Sequence, residues 1–474
     1  MRKLVIEPIT RVEGHGKVTI ILDDENKVQQ ARLHIVEFRG FERFIVGRPY
    51  WEVPVMVQRL CGICPVSHHL AAAKAMDYIV GVDKLTPTAE KIRRLMHYGQ
   101  FFQSHALHFF HLCSPDILFG FDADVAIRNV VGVINKFPAL ATQGVMMRKY
   151  GQEIIKATAG KKIHGTGAIP GGVNKSLTIE ERDLFLKDID QMIRWSKDSI
   201  NIAKDYTREN IAELAKFGSF ESNHLSIIRN DGALDIYDGG LRAIDSEGNK
   251  IFDHADNQKY HELIAEEVRS YSYMKFPFMK MIGPEDGWYR VGPLARLNTC
   301  DFISTPEAEK ERKEFVAFFG NKPCKESMAY HWARMIELLH CAEEIKKLLN
   351  DPDIMGRDLL VTGQRRGEGV GIIEAPRGTL FHHYKVDEND LVTMCNLIVS
   401  TTNNNQPMNL AVKKVAENFI DGRAEITEGL MNRVEVVIRA YDPCLSCATH
   451  ALGSMPLVVE LVDANGVLID KKSR

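Results

Sequence analysis

Two stretches decide how this chain folds: Arg59-Leu60-Cys61-Gly62-Ile63-Cys64-Pro65 and Asp442-Pro443-Cys444-Leu445-Ser446-Cys447-Ala448-Thr449-His450. Each holds two cysteines separated by two residues. Four cysteine sulfurs in such pairs can converge on one soft metal ion. Because 380 positions separate Cys64 from Cys444, a shared metal requires the two ends of the chain to meet.

The flanking residues predict the setting of each pair. Pro65 and the alanine-rich run 71–75 favour a helix that begins directly after Cys64. At a helix N-terminus the dipole and the unpaired backbone N–H groups stabilise thiolate, the form of cysteine that binds metals. Asp442-Pro443 predicts a turn before the second pair.

A redox disulfide or a structural zinc site would fit the two pairs less well. A redox disulfide would lie in a thioredoxin-like strand–helix context, which neither pair has. A structural zinc site usually has pairs about 15–20 residues apart, so a zinc staple across this gap would be unusual. A catalytic site for a soft metal is favoured. The five cysteines outside the pairs lack such spacing and are predicted to be packing thiols, without an iron–sulfur cluster in this chain: Cys113, Cys300, Cys324, Cys341 and Cys395.

Composition narrows the class of protein. The 474 residues are 45% hydrophobic and 26% charged, which is typical of globular chains and excludes disordered or collagenous ones. The formal net charge of −3 argues against a nucleic-acid binder. No stretch approaches the ~18 apolar residues of a membrane span. Glu7 interrupts any signal-peptide core, so a cytoplasmic protein is expected.

The apolar pattern predicts an α+β chain that is predominantly α-helical, with a large helical-bundle core and peripheral β-hairpins. Strands are expected at 18–22 and 32–36, in a β excursion at 234–251 with a turn at 246–249, and in a C-terminal hairpin around Asn465-Gly466. Helices are expected at 86–112, at 178–218 with a kink or break, and at 305–320, 328–349 and 407–420.

Some motifs that resemble ligand sites are predicted to be structural. His105, His108 and His111 recur at every third residue among apolar neighbours, so helix packing is expected. The glycine runs at 165–171 and 367–371 resemble nucleotide-binding loops but lack the strand–loop–helix context. Both runs are therefore predicted to be tight turns, and the chain is not expected to bind NAD itself.

The cysteine motifs and their flanks resemble the signature motifs of the [NiFe]-hydrogenase large (catalytic) subunit. The resemblance extends from about residue 5 to 460, and the segments 64–68 and 442–456 are most similar to the cytoplasmic, NAD-linked bidirectional branch. The matching motifs are Arg59–Cys64, Asp442–His450, Arg11-Val12-Glu13-Gly14-His15, Arg39-Gly40-Phe41-Glu42 and Glu374-Ala375-Pro376-Arg377-Gly378.

The resemblance implies a Ni–Fe(CN)2(CO) centre held by Cys61, Cys64, Cys444 and Cys447, with Cys64 and Cys447 bridging the two metals. Heterolytic cleavage of H2 needs a metal that accepts the electron pair and a base that accepts the proton. By this resemblance the first base is Cys444, and Glu13 carries the proton outward.

Further residues acquire roles by the same resemblance. Arg377 overhangs the metals as a fixed cation, and the Thr401 hydroxyl donates to a cyanide. His68, one helical turn after Cys64, donates to a bridging sulfur. Asp442 orients Arg377 or the turn of its own motif.

A second metal is implied near the C-terminus. Its ligands would be Glu42, the backbone carbonyl of Leu397, and His450, with magnesium or iron as the ion. Histidine is an atypical ligand for magnesium. A maturation endopeptidase is expected to cut after His450, so residues 451–474 are predicted to be a removable tail of 24 residues.

The expected organisation is a hydrogenase large-subunit domain at 1–450 and the tail. The domain comprises an N-terminal β region at 1–50, a helical body at 51–230 and 300–450, and a mixed β excursion at 231–299. Electrons from H2 would pass to a small subunit with iron–sulfur clusters and then to NAD(P) through flavin-binding, diaphorase-type subunits.

Several alternatives to this function remain open at this point. Within the hydrogenases they are a bifurcating enzyme that shares electrons between NAD and ferredoxin, and an enzyme linked to a deazaflavin or to heterodisulfide reductase. Outside the hydrogenases they are a non-catalytic subunit like those of respiratory complex I and a zinc-stapled scaffold. The complex I relatives have generally lost the four cysteines, whereas this chain has all of them.

Overall fold

The β-strands form small sheets distributed along the chain. The computed structural model describes residues 2–449, 458–462 and 468–473. The strands are β1 (Arg2–Ile6), β2 (Gly16–Leu22), β3 (Val28–Ile35), β4 (Ala168–Ile169), β5 (Gly172–Val173), β6 (Asn223–Ile228), β7 (Gly240–Ile244), β8 (Lys250–Ala255), β9 (Ile264–Glu267), β10 (Phe276–Met279), β11 (Tyr289–Arg290), β12 (Glu368–Ala375), β13 (Gly378–Val386), β14 (Val392–Ile398), β15 (Val458–Val462) and β16 (Leu468–Ser473).

The predicted hairpins are present. Strands β2 and β3 pair antiparallel, with Ile20 opposite Ala31, and β15 pairs antiparallel with β16. The predicted turn at 246–249 joins β7 to β8. These strands belong to a four-stranded sheet with the order β11-β6-β7-β8, which begins earlier in the chain than the predicted excursion.

Helices make up most of the body, as predicted for a mainly helical α+β chain. They are α1 (Phe41–Ile45), α2 (Val53–Met56), α3 (Pro65–Ile79), α4 (Pro87–Leu107), α5 (Ser114–Phe119), α6 (Val130–Lys136), α7 (Pro138–Ala159), α8 (Ile179–Leu214), α9 (Tyr260–Leu263), α10 (Pro293–Thr299), α11 (Pro306–Phe318), α12 (Tyr330–Asn350), α13 (Ser400–Asn403), α14 (Asn405–Phe419) and α15 (Glu428–Ala440). Helices α4, α7, α8 and α12 pack together at the centre. No helix in the described part of the chain is both long and apolar enough to cross a membrane.

Local capping explains where the long helices begin. The Thr86 side chain accepts a hydrogen bond from the Ala89 backbone N–H, directly before Pro87. Thr178 and Glu181 form the predicted capping box at the start of α8. Helix α4 passes at its C-terminal end into a π-helical segment, His108–Cys113, and then into α5.

The predicted break in the helix at 178–218 is wrong. Helix α8 runs unbroken for 36 residues. Its sequence contains neither glycine nor proline, and its buried positions, such as Phe185, Ile189 and Met192, recur at helical spacing. This apolar face packs along α12, so the tertiary contact stabilises one continuous helix.

The glycine run at 367–371 is also not a tight turn. Gly369 and Gly371 lie within strand β12, and helix α3 packs across β12 and β13. A β-carbon at Gly371 would lie 2.0 Å from the backbone oxygen of Ala71. Glycine is therefore required because the helix backbone approaches the strand directly. In the run at 165–171, Pro170 and Gly171 do form a turn, between β4 and β5.

Candidate metal centre

The four motif cysteines converge at one buried point. Cys64 caps the N-terminus of α3, as predicted, and Cys447 lies in a short 3-10 turn after α15. Cys61 Sγ is 2.9 Å from Cys64 Sγ and 3.4 Å from Cys444 Sγ. The four sulfurs lie within 4.8 Å of one another. This spacing is compact enough for all four to bind a metal cluster.

The environment of the sulfurs favours thiolate at Cys61. Backbone N–H groups of Ile63 and Cys64 donate to Cys61 Sγ at 3.2 and 3.0 Å. Burial opposes ionisation, but the Cys64 thiol and the Arg377 guanidinium lower the pKa of Cys61. The Sγ atoms of Cys444 and Cys447 are also adjacent within the cluster.

The N-terminal segment reaches this point and presents Glu13. Glu13 and Cys444 form an isolated parallel β-bridge, and the Leu445 backbone N–H donates to the Glu13 carbonyl at 3.0 Å. One carboxylate oxygen of Glu13 lies 2.9 Å from Cys444 Sγ and accepts from the Ser446 N–H at 3.2 Å. The Ser446 hydroxyl donates to the second oxygen.

Gly14 makes this approach possible. Its φ of +81° lies in the left-handed region, and a β-carbon there would lie 2.6 Å from the Ser446 backbone nitrogen. Glycine adopts this conformation without a steric penalty. The residue after Glu13 therefore lets the two ends of the chain lie in contact.

Arg377 lies buried beside the sulfurs in the short turn between β12 and β13. One guanidinium nitrogen donates to Asp442 Oδ1 at 3.0 Å, and another donates to the Ser104 hydroxyl at 3.3 Å. Burial alone would lower the pKa of Arg377, but Asp442 and the thiols of Cys64 and Cys61 raise it above its usual range. The group is therefore a permanent cation at the centre.

Asp442 and Thr401 support the second motif from opposite sides. Asp442 has a φ of +53°, and its backbone N–H donates to the Arg439 carbonyl at the end of α15. The Thr401 hydroxyl oxygen accepts from the Cys444 backbone N–H at 3.0 Å. The hydroxyl hydrogen of Thr401 is not used in this bond. Both residues fix the backbone that carries Cys444.

His68 lies one turn along α3 from Cys64. Its Nδ1 is 3.1 Å from Nε2 of His382 on β13, and Nδ1 of His382 is 2.6 Å from the Tyr384 hydroxyl. The three side chains are buried. His68 is therefore held by a row of polar side chains from the sheet.

Glu42 and Leu397 come together at a separate position. Glu42 is 2% exposed and accepts from the Leu397 backbone N–H at 2.9 Å. Burial raises the pKa of Glu42 to about 7, with Lys275 opposing the shift. Lys275 in turn lies 3.2 Å from Glu266. His450, the third predicted ligand, lies outside the described residues.

A second group of residues has side chains that can ligate metals but lies in the protein core beside an arginine. His108, Cys113 and His331 offer ligand atoms within 4.8 Å of one another. The imidazoles of His108 and His331 stack with centroids 5.5 Å apart. Burial, followed by the neighbouring Arg334 guanidinium, lowers the pKa of both histidines. Because a buried cation already occupies this region, we interpret the cluster as core packing.

Of the remaining predicted packing residues, His105 and the cysteines outside the motifs are buried and His111 is half-buried. His105 Nε2 lies 3.0 Å from a carboxylate oxygen of Glu337 on α12. The five cysteines outside the motifs are all buried thiols, as predicted: Cys113, Cys300, Cys324, Cys341 and Cys395.

Sequence reasoning missed several residues around the sulfurs. Ser104, Ser446 and His382 contact predicted site residues, and Tyr384 contacts His382, yet none belongs to a pattern that indicates chemistry. His382 and Tyr384 share one face of β13 because they lie two residues apart in a strand, but no strand was predicted at 378–386.

Comparison with known proteins agrees with this arrangement. The family model described as nickel-dependent hydrogenase matches residues 39–126 and 213–450, and a model described as HoxL-like matches residues 3–38. The chain is 50% identical to the beta subunit of the NAD-reducing hydrogenase HoxS of Cupriavidus necator, over 100% of both chains. It is 43% identical to a chain of the F420-non-reducing hydrogenase of Methanothermobacter thermautotrophicus, over 99% of this chain and 100% of that one.

Solved structures show the same fold. The crystal structure of an NAD+-reducing [NiFe]-hydrogenase in the H2-reduced state has a TM-score of 0.93 and 55% identity, covering 95% of this chain and 100% of that chain. A [NiFeSe]-hydrogenase from Dm. baculatum has the same fold, with a TM-score of 0.76 at 23% identity over 95% of this chain and 100% of that chain. On these matches, the chain belongs to the nickel-dependent hydrogenase family, as the catalytic large subunit of an [NiFe]-hydrogenase.

Proposed function

We propose that this subunit cleaves H2 reversibly and heterolytically at a nickel–iron centre, and that the electrons leave through a small subunit with iron–sulfur clusters and then a flavin module to NAD(P). The observation that carries the proposal is the convergence of four buried sulfurs from opposite ends of the chain within 4.8 Å. The NAD-linked part is supported by full-length similarity to a subunit of an NAD-reducing hydrogenase.

The donor set fits the proposed centre. Four thiolates are soft ligands that suit nickel and iron. Cys61, Cys64, Cys444 and Cys447 would hold the nickel, and Cys64 and Cys447 would bridge to the iron of a Ni–Fe(CN)2(CO) group. When bound, this group supplies the electron-accepting electrophile at which H2 is split. Arg377 offsets part of the thiolate charge without losing a proton.

The proton is received by the protein. Cys444 Sγ is the proposed first base, and the Glu13 carboxylate oxygen, 2.9 Å away, takes the proton from it. Hydrogen bonds from the backbone and hydroxyl of Ser446 keep that carboxylate aimed at the sulfur. This distance is within the range needed for direct proton transfer.

Further residues orient the centre. Arg377, aligned by Asp442 and Ser104, would polarise small ligands at the metals. Thr401 accepts from the Cys444 N–H, so its hydroxyl hydrogen is available to donate to a cyanide. His68 would donate to a bridging sulfur.

A second ion is proposed beside Glu42. The carboxylate of Glu42, the carbonyl of Leu397 and His450 would bind magnesium or iron. The low solvent exposure of Glu42 and its raised pKa describe a carboxylate that a cation would stabilise in its charged form.

The proposed setting is a cytoplasmic, heteromeric complex in which this chain forms one large-subunit domain at 1–450. A maturation endopeptidase would remove residues 451–474. The proposed partners are diaphorase-type subunits that bind flavin and NAD, together with the iron–sulfur small subunit.

A second candidate concerns the electron acceptor. The chain is also 43% identical to a chain of an F420-non-reducing hydrogenase over nearly its full length. Because that relative is not described as NAD-reducing, the second proposal is a complex that serves a heterodisulfide reductase or bifurcates electrons. Purification of the native complex separates these acceptors. H2-dependent NAD(P) reduction without ferredoxin, with a co-purified flavin subunit, supports the first proposal. NAD reduction that requires ferredoxin supports bifurcation, and dye reduction without any NAD(P) reduction supports the complex linked to heterodisulfide reductase.

The catalytic proposal is tested by Cys447→Ser. Serine cannot provide a bridging thiolate, so H2-dependent dye reduction should be abolished. Cys341→Ser is the matched control, because Cys341 is a fully buried packing thiol outside the cluster. Full activity of Cys447→Ser would refute the bridging assignment.

A further inference from the structure

Two residues outside the motifs continue the row that begins at His68. His382 and Tyr384 are both 0% exposed, and each makes a short hydrogen bond within the row. His68 is itself 1% exposed. A buried row of this kind is stable only if each donor faces an acceptor, so the proton positions along it are determined by its ends.

The fold brings the row together through close packing. His382 and Tyr384 alternate onto one face of β13. The residue paired with His382 on β12 is Gly371, which lets the backbone of α3 lie directly against the sheet. That approach carries His68, on the same helix, to within 3.1 Å of His382.

The Tyr384 hydroxyl, at the far end of the row, determines the direction of the hydrogen bonds along it. Burial raises the pKa of Tyr384 well above its ordinary value, so the hydroxyl keeps its hydrogen. Among the described residues, His382 Nδ1 is the hydrogen-bond partner of this hydroxyl. If His382 carried its proton on Nδ1, that N–H and the Tyr384 O–H would point at each other. The Tyr384 hydroxyl could then not donate to His382.

The proton positions along the row follow from this end. Tyr384 donates to Nδ1 of His382, and neutral His382 therefore carries its proton on Nε2. Nε2 donates to Nδ1 of His68, so neutral His68 carries its own proton on Nε2. The row thereby selects one of the two tautomers of His68.

We propose that His382 and Tyr384 are positioning residues that hold His68 as an Nε2–H donor toward a bridging sulfur of the cluster. The inference rests on the proposed function, in which that sulfur bridges nickel and iron. An N–H donor draws electron density from a metal-bound thiolate and raises the reduction potential of the metal. His382 and Tyr384 thus tune the centre through His68, without contacting the sulfurs themselves.

Infrared and redox measurements on the metal-loaded complex test this role. Tyr384→Phe removes one oxygen, and His382→Leu removes both nitrogens. Both variants should shift the iron-bound CO and CN stretching bands to lower wavenumber and the nickel midpoint potential to more negative values. The rate of hydrogen oxidation should fall about tenfold, as expected when His68 no longer donates a hydrogen bond to the charged thiolate.

Two further variants serve as controls. His382→Gln retains an N–H donor toward His68 and should restore the wild-type bands and potential. Tyr330→Phe removes an equally buried hydroxyl, which donates to the Val291 carbonyl, and should leave both readouts unchanged.

The outcomes separate this inference from the proposed function. Unshifted bands and potential in nickel-loaded Tyr384→Phe would overturn the positioning role, and so would an equal shift in Tyr330→Phe. Wild-type protein without nickel would instead contradict the proposed function itself. Because Tyr384→Phe deletes a single atom, it decides the question even if His382→Leu does not fold.

Discussion

Replacing Glu13 with glutamine tests the proton route most selectively. The Glu13 carboxylate lies 2.9 Å from Cys444 Sγ and accepts hydrogen bonds from Ser446. Glutamine has the same shape and keeps one oxygen acceptor for Ser446, so the local backbone and the four sulfurs should remain in place. Its amide cannot accept a proton at neutral pH. The variant therefore separates proton transfer from assembly.

The expected loss of turnover in Glu13→Gln is large. General acid–base groups contribute about 10²–10⁴-fold to rate, so turnover of Glu13→Gln should fall at least about a hundredfold. That loss corresponds to about 3 kcal/mol in the activation barrier. Nickel and iron contents should stay at wild-type values, because glutamine preserves the contacts that hold the Cys444 segment.

The assay compares H2-dependent dye reduction with metal content in the same preparation. Glu7→Gln is the matched control, because Glu7 is an exposed glutamate near the same end of the chain and pairs with Lys17. Its activity should be unchanged. Wild-type turnover in metal-loaded Glu13→Gln would refute the reasoning, since the proton would then leave Cys444 by another route.

Three further predictions concern the site and its support. Arg377→Lys keeps the charge but loses the fork that contacts Asp442 and Ser104, so H2 oxidation should fall more than about tenfold with the metals retained. Gly371→Ala inserts a β-carbon 2.0 Å from the Ala71 oxygen and should lower the free energy of unfolding by about 1–3 kcal/mol, measured by thermal or denaturant unfolding. Burial lowers the pKa of His69 to about 4, so its contribution to stability is complete above pH 6.5 and is lost as pH falls toward 4.

Each of these predictions has a defined contradiction. Wild-type H2 oxidation by Arg377→Lys would show that charge alone suffices. An unchanged unfolding free energy in Gly371→Ala would mean that α3 can move away from the sheet at no cost. For His69, urea unfolding at successive pH values gives the slope, which should be shallower in His69→Gln. Equal slopes in the two proteins would exclude His69 as the source.

Local signals in the sequence were reliable for elements with strong caps and for the sulfur cluster. Thr86-Pro87, the capping box at Thr178 and the hairpin around Asn465-Gly466 each led to the predicted element, because each acts over a few residues. The cysteine pairs converged as predicted because a shared soft-metal site leaves few alternative arrangements.

Features that depend on distant contacts could not be predicted. The unbroken course of α8 follows from its packing along α12, and the glycines in β12 allow the close approach of α3 and do not form a turn. Ser104 and His382 reach the site from α4 and β13. The sequence positions of these two residues do not indicate the contacts, because α4 and β13 come together only in the folded protein.

The central claim is that the four converging cysteines hold nickel and iron. Elemental analysis of the purified native complex, together with the Cys64→Ser variant, tests it most directly. Once the partners' iron–sulfur iron is subtracted, the account predicts about one nickel per large subunit and about one iron, or two if the ion beside Glu42 is iron, with the nickel lost in Cys64→Ser. Zinc alone at this stoichiometry, or full nickel in the variant, would contradict it.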